Sequence, residues 1–253
     1  MIFAGKTVTG KGVKVAIVDT GIQGKFSQPV DSWDVFLSSS GKIIPKLKNH
    51  DLIGRGSQLA ALVLEEAPSV QLIGVNIFNE QGKTNSDILA AGIQFAIEQA
   101  PNVICVCVNT NNPEKQARFQ YLCKQAESRD IMIVSSHPIS EKISYPSSLP
   151  GVVPVLTHPK ITSRFFYSDP DEFTPEEYVE SGFFWANGSI DGRFLGKEYA
   201  AARMAGKIAC LREARPELWA PEIIERLRLK AFLPVGEMSA ILTKISTKNS
   251  QSE

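Results

Sequence analysis

The chain has 253 residues, and its 27 lysines and arginines balance its 27 aspartates and glutamates, for a formal net charge of zero. No basic excess is available to neutralise phosphates, which argues against nucleic acid as a partner. With 43% hydrophobic and 21% charged residues, the composition is that of a folded globular chain, not a disordered one.

Residues 1–12 (MIFAGKTVTGKG) hold no apolar run of signal-peptide length. No later stretch approaches the roughly 18 apolar residues of a membrane span. The reading is a cytoplasmic protein with no membrane partner. The four cysteines are Cys105, Cys107, Cys123 and Cys210, and they form no C-x-x-C pair. They read as reduced thiols, with Cys105 and Cys107 on one face of a buried strand and no zinc or redox site.

Val13–Asp19 (VKVAIVD) is a β-branched apolar run ending on an acid, as in a buried parallel strand with functional groups at its carboxyl end. Asp51–Glu66 opens as a glycine-bracketed turn and continues as an apolar helix. Ser69–Phe78 reads as a strand. Ser86–Gln99 reads as a helix, with a serine cap and an acid in its first turn. Asn102–Val108 is a strand, Glu114–Ser128 a helix with a charged face, Asp130–Val134 and Gly151–Leu156 two further strands. The aromatic segment Ser163–Phe194 reads as short strands and loops. Glu198–Arg215 is an alanine-rich helix suited to deep packing, and Pro221–Ala231 a helix with proline in its first turn. Alternating strands and helices call for an α/β fold with a mostly parallel sheet and helices on both faces. Ligand sites in such sheets lie at the carboxyl ends of the strands. No linker interrupts the pattern, so residues 1–241 are expected to form a single domain and 242–253 a frayed tail.

Several segments, in order, resemble the subtilisin-like serine proteases. GKGVKVAIVDTGI (Gly10–Ile22) resembles the family's aspartate motif, with Asp19 in the place of the triad aspartate. DLIGRGSQLAALVLEEAPSVQLIGVNIFNEQG resembles the histidine-motif block, usually GHGTHVAG. YPSSLPGVVPV (Tyr145–Val155) resembles YPA…PGVIAV, and GKEYAAARMAGKIACL (Gly196–Leu211) resembles the serine motif GTSMASPHVAG. The resemblance implies a subtilisin-like three-layer α/β/α fold. Members that are secreted carry a propeptide before the aspartate motif. Here eighteen residues precede Asp19, and no propeptide is expected.

The resemblance also implies lost chemistry. The place of the catalytic histidine is held by Arg55, and that of the motif's second histidine by Gln58. Arginine stays protonated and cannot act as a general base. The nucleophile's place is held by Glu198, preceded by Lys197, and the following Pro-His by Ala202-Arg203. No asparagine lies just after Val134, where the oxyanion donor belongs, although His137 is near. The cleft-wall segment Ser-Leu-Gly becomes Cys107-Val108-Asn109. Losing one triad member alone costs orders of magnitude in rate. The degenerate positions Asp19, Arg55 and Glu198 are therefore expected to be catalytically inactive. They are expected either to form one ion-pair network, with both carboxylate pKa values lowered by Arg55, or to point separately into solvent.

No metal or other cofactor is expected. The acids Asp169, Asp171 and Glu172 read as loop caps, and His50, His137 and His158 as surface histidines. Three functions remain open. One is a pseudoprotease that binds a peptide or a partner protein as an accessory in peptide maturation, since strand edges hold peptides without a triad. The second is a structural or regulatory subunit pairing with an active enzyme through the aromatic segment Arg164–Trp185. The third is an enzyme with a non-standard nucleophile such as Cys107 or Ser135. A hetero-oligomer or homo-oligomer fits the first two.

Overall fold

A computed structural model of the chain describes residues 2–3, 6–28, 30–138, 143–157, 166–168 and 183–230. Its layers follow from the central strand β3 (Lys14–Asp19). Val15 and Ile17 enter one hydrophobic cluster, Ala16 and Val18 the other, because successive side chains on a strand point to opposite faces.

The other elements follow the chain: a short hairpin β1 (Ile2–Phe3) and β2 (Lys6–Thr7), then β4 (Val30–Leu37), β5 (Ile43–Leu47), α1 (Arg55–Glu66), β6 (Gln71–Asn76), α2 (Ser86–Glu98), β7 (Val103–Val106), α3 (Gln116–Ser128), β8 (Met132–Ser136) and β9 (Val152–Leu156). Next come β10 (Phe166–Ser168), β11 (Phe183–Trp185), a second short hairpin β12 (Ser189–Ile190) and β13 (Arg193–Phe194), and the helices α4 (Lys197–Ala214) and α5 (Ala220–Lys230). Nine strands form one sheet in the order β10-β11-β9-β8-β7-β3-β6-β4-β5. The pairings are parallel from β11 to β4, and the outermost pair on each edge is antiparallel. Helices α1, α4 and α5 cover one face, α2 and α3 the other. This is the three-layer α/β/α arrangement the sequence implies.

Two strands of the nine-stranded sheet were not anticipated, nor was the short β1–β2 hairpin. β4 is paired to β6 from Val30↔Leu72 to Asp34↔Asn76. Its inward side chains on the α1 face include Ser32 and Asp34, so its sequence lacks an apolar run. β5 is an edge strand whose residues after Ile43 are exposed. Pro45, which removes an N–H, and the charged Lys46 blunt that edge. The expected tail 242–253, His158 and the Asp169, Asp171 and Glu172 cluster lie outside the described residues.

Helix α4 is buried on nearly every side, from Ala200 to Arg212. Its small residues let it approach α1 closely. A Cβ at Gly206 would lie 2.7 Å from Glu66 Cβ and 2.8 Å from the Val63 carbonyl oxygen. Two ion pairs bracket this contact, Arg203 to Glu65 at 3.0 Å and Lys207 to Glu66 at 2.7 Å. Gly206→Ala therefore opposes two effects. Helix propensity favours alanine by about 1 kcal/mol, while forcing a methyl against backbone costs about 1–3 kcal/mol. A net loss of about 1 kcal/mol is expected in urea unfolding, and a stabilised variant would show that the two helices have room to part.

Candidate functional site

Asp19 ends β3, and Arg55 is the first residue of α1. The two meet face to face. Arg55 Nε donates to Asp19 Oδ1 at 2.8 Å and Nη2 to Oδ2 at 2.9 Å, the fork-on-fork geometry in which guanidinium binds carboxylate best. Asp19 is fully buried, while the Arg55 side chain is 31% exposed. The guanidinium also lies over the Phe78 ring, 5.4 Å from its centroid. Burial pushes the Asp19 carboxyl above its usual range. The hydrogen bonds and charge of Arg55, with the Thr20 amide, offset that only in part. The expected lowering of Asp19 by Arg55 is thus corrected: desolvation of a carboxylate with no exposed surface is the larger effect. Burial also works against the Arg55 charge, but its bonds to Asp19 prevail and raise its pKa.

The start of α1 is held by a hub that the sequence did not single out. Asp51 Oδ1 accepts from the Gly54 amide at 2.7 Å and from Thr20 Oγ1 at 2.8 Å. Its Oδ2 accepts from the Ser57 amide and hydroxyl at 2.7 and 2.8 Å. Thr20 Oγ1 in turn accepts from the Gly56 amide at 2.8 Å. Orphan amides at a helix start are satisfied this way, and here the caps come from a preceding loop and from the residue after Asp19. Gly56 is obligatory, since a Cβ there would fall 1.9 Å from the Gly21 carbonyl oxygen. A legible signal existed: an acid three residues before a Gly-x-Gly helix start.

Glu198 does not join the pair. It sits in the first turn of α4, where the helix dipole favours an acid, and its carboxylate faces Lys197 at 3.6 Å. It acts on Asp19 and Arg55 through space only. The expected three-membered network is therefore a bidentate pair with a separate acid beside it. At this end of α4 the contact with α1 is made by Tyr199, whose hydroxyl donates to Gln58 Oε1 at 2.8 Å.

Cys105 and Cys107 do share a face, with sulfurs 3.6 Å apart, and Cys107 Sγ donates to the Glu198 carbonyl at 3.6 Å. The neighbouring Cys105 and complete burial hold the Cys107 thiol well above its usual pKa, which leaves it protonated and a poor nucleophile. Ser135 is buried and donates to Asn109 Oδ1 at 3.2 Å. Among the described residues, neither alternative nucleophile is hydrogen-bonded to a His, Asp or Glu side chain. His137, expected at the surface, is buried, with Nδ1 2.9 Å from Ser147 Oγ. Asn109 ties the neighbouring loops, donating to the Ser136 carbonyl at 2.6 Å and accepting from the Ser147 amide at 3.4 Å. His50, also expected at the surface, is only partly exposed, with Nδ1 3.4 Å from Asp34. Of the aromatic segment, the described side chains of Phe184 and Trp185 are core. Among the described residues, no group of three or more His, Cys, Asp or Glu could hold a metal ion, and no helix is long and apolar enough to cross a membrane.

With this geometry in place, comparison with known proteins is decisive on ancestry. The model of the subtilase family matches residues 10–156. The chain belongs to the subtilase family. Subtilisin BL of Lederbergia lenta is 25% identical over 225 residues, covering 83% of this chain and 79% of that relative. The intracellular serine protease of Paenibacillus polymyxa is 23% identical over 256 residues, covering 90% and 76%. Among solved structures, the S41 psychrophilic protease superposes with a TM-score of 0.67 at 17% identity, covering 87% of this chain and 83% of that one. Sphericase gives 0.66 at 18% identity, covering 89% and 85%. The subtilase sheet is thus present, and the arginine–aspartate pair stands where the resemblance puts the base and its orienting acid.

Arg55→Met tests the pair. Stripping the partner from a buried carboxylate is expected to cost about 3 kcal/mol near pH 7. In the variant, Asp19 keeps the upward push of burial and loses both effects of Arg55 that opposed it. Its folded pKa then lies further above the unfolded value, and the native state binds the proton more readily. The deficit should therefore shrink as pH falls toward about 5. Urea unfolding at both pH values measures this, and a pH-independent deficit would contradict it. Asp19→Leu with Arg55→Met should recover most of the loss, as apolar replacement of buried pairs does.

Proposed function

We propose that this subtilase is a catalytically inactive scaffold, a pseudoprotease that binds a peptide or a partner protein as an accessory in peptide maturation, working in the cytoplasm. One observation carries the reading: the guanidinium of Arg55 is locked in two hydrogen bonds on Asp19. Acyl transfer by the family's route needs a base that can take a proton from a nucleophile. A guanidinium has no acceptor lone pair to offer. Glu198, at the nucleophile's place, lies in the first turn of α4 beside Lys197, and a carboxylate there repels the oxyanion of an acyl intermediate. The scaffold's other assets do not depend on the triad. Strand ends, a rigid α1 start and backbone edges recognise extended peptides through main-chain hydrogen bonds. The buried free thiols suit a reducing compartment.

Two measurements test this together. The purified chain should show neither labelling by a fluorophosphonate serine-hydrolase probe nor cleavage of casein. Gentle-lysis capture from the native host, read by mass spectrometry, should recover a bound peptide or a processing enzyme, and Arg55→Met should diminish that recovery. Probe labelling or casein turnover abolished by a single substitution at the site would refute the inactive reading. A monomer that captures nothing above control would remove the binding role.

A further inference from the structure

A buried acid lies outside the degenerate triad positions. Asp34, on β4, is 4% exposed. Its Oδ1 accepts from Asn76 Nδ2 at 2.9 Å and faces His50 Nδ1 at 3.4 Å. Its Oδ2 receives no hydrogen bond among the described residues, the nearest cation being Lys48 Nζ at 4.0 Å. A pocket of about 290 Å³ opens over this carboxylate, walled by Phe36, Leu52, Ile53 and Phe78, with Glu80 also lining it. It lies at the carboxyl ends of the parallel strands, where α/β sheets place ligands. Lys48 and His50 stand at ion-pair distance but donate no hydrogen bond to Oδ2, so a charged donor entering the pocket would supply one.

We propose that this pocket binds a primary ammonium group on a short apolar stem, with Asp34 Oδ2 as its counter-ion. Each part of that ligand follows from a feature of the pocket. The charge is positive, because the acceptor is a carboxylate and a second acid, Glu80, is among the lining residues. The cation is compact, because a guanidinium fork needs both oxygens, and Oδ1 already accepts from Asn76. The stem is apolar, because four hydrophobic side chains face it, of which Phe36, Leu52 and Ile53 are exposed to approach. It is short, because the volume falls at the lower bound of small-molecule pockets. Lys48, with 49% of its side chain exposed, places the chain's own ammonium near the open oxygen without hydrogen-bonding to it. It marks where a cation is favoured and competes for that place. The inference does not require the peptide reading, since a free amine and a lysine side chain present the same chemistry.

Calorimetric titration of the full chain tests it, with n-butylammonium, n-butanol and butyrate at matched ionic strength. Acetylated pentapeptides carrying a central lysine or norleucine form the second arm. Butylammonium should bind, and butanol and butyrate should not at the same concentration. Asp34→Asn should weaken butylammonium about tenfold, as expected for loss of a hydrogen bond to a charged group. Lys48→Met, at a half-exposed position that leaves the fold intact, should strengthen binding by removing the competitor. Binding of the lysine peptide without butylammonium assigns the amine to a peptide and upholds the site. Equal binding of norleucine and lysine peptides would overturn it while leaving peptide binding standing. Butanol binding as well as butylammonium, or weaker binding in Lys48→Met, would also overturn it, and the last readout decides even if Asp34→Asn fails to fold.

Discussion

A fully buried carboxylate at the end of the central strand needs a cation, and much of the site is arranged around that requirement. Asp19 has no exposed surface, and Arg55, reaching it from the start of α1, meets both of its oxygens. That in turn fixes where α1 begins, how its first amides are capped and how closely it follows β3. The Thr20 hydroxyl, one residue beyond Asp19, serves the Gly56 amide one residue beyond Arg55. The pair and its caps are therefore a single unit. Loosening the cap moves the arginine, and removing the arginine strands the acid.

The sequence made the layers legible because the strands nearest the centre, VKVAIVD and NVICVCV, are apolar on both faces, and the helices between them carry caps and apolar spacing. It did not reveal β4 and β5. Ser32 and Asp34 occupy inward positions that an apolar pattern would need, and Pro45 reads as a strand breaker. The buried polar residues there satisfy one another across long sequence distances, as Asn76 does Asp34, and such pairing has no local signature.

At the site, the meeting of Asp19 with Arg55 followed from the resemblance, which places both at one strand end. The separation of Glu198 did not. Whether two side chains on neighbouring helices come within bonding distance depends on helix position at the scale of an ångström, and the competing Lys197 lies next to Glu198 in sequence. The sign of the Asp19 shift departs from the sequence expectation for a related reason. Residue identity gives the attraction of a neighbouring charge, but the loss of solvent depends on everything packed around it. The same blindness hid His137, which lies in a loop yet is enclosed by Ser147 and its neighbours.

The fold has one further consequence, at its β5 edge. A sheet of nine strands ends there in a strand with exposed side chains, the geometry through which copies of a protein add strands to one another without limit. Pro45 offers no amide to an incoming strand, and Lys46 would bring a charge into the new interface. The chain thus carries apolar groups at this end of the molecule, Phe36 and Ile44 among them, while denying them the backbone ladder that turns stickiness into fibrils. Contacts made here are left to side chains, which discriminate between partners in a way that a ladder of amides does not.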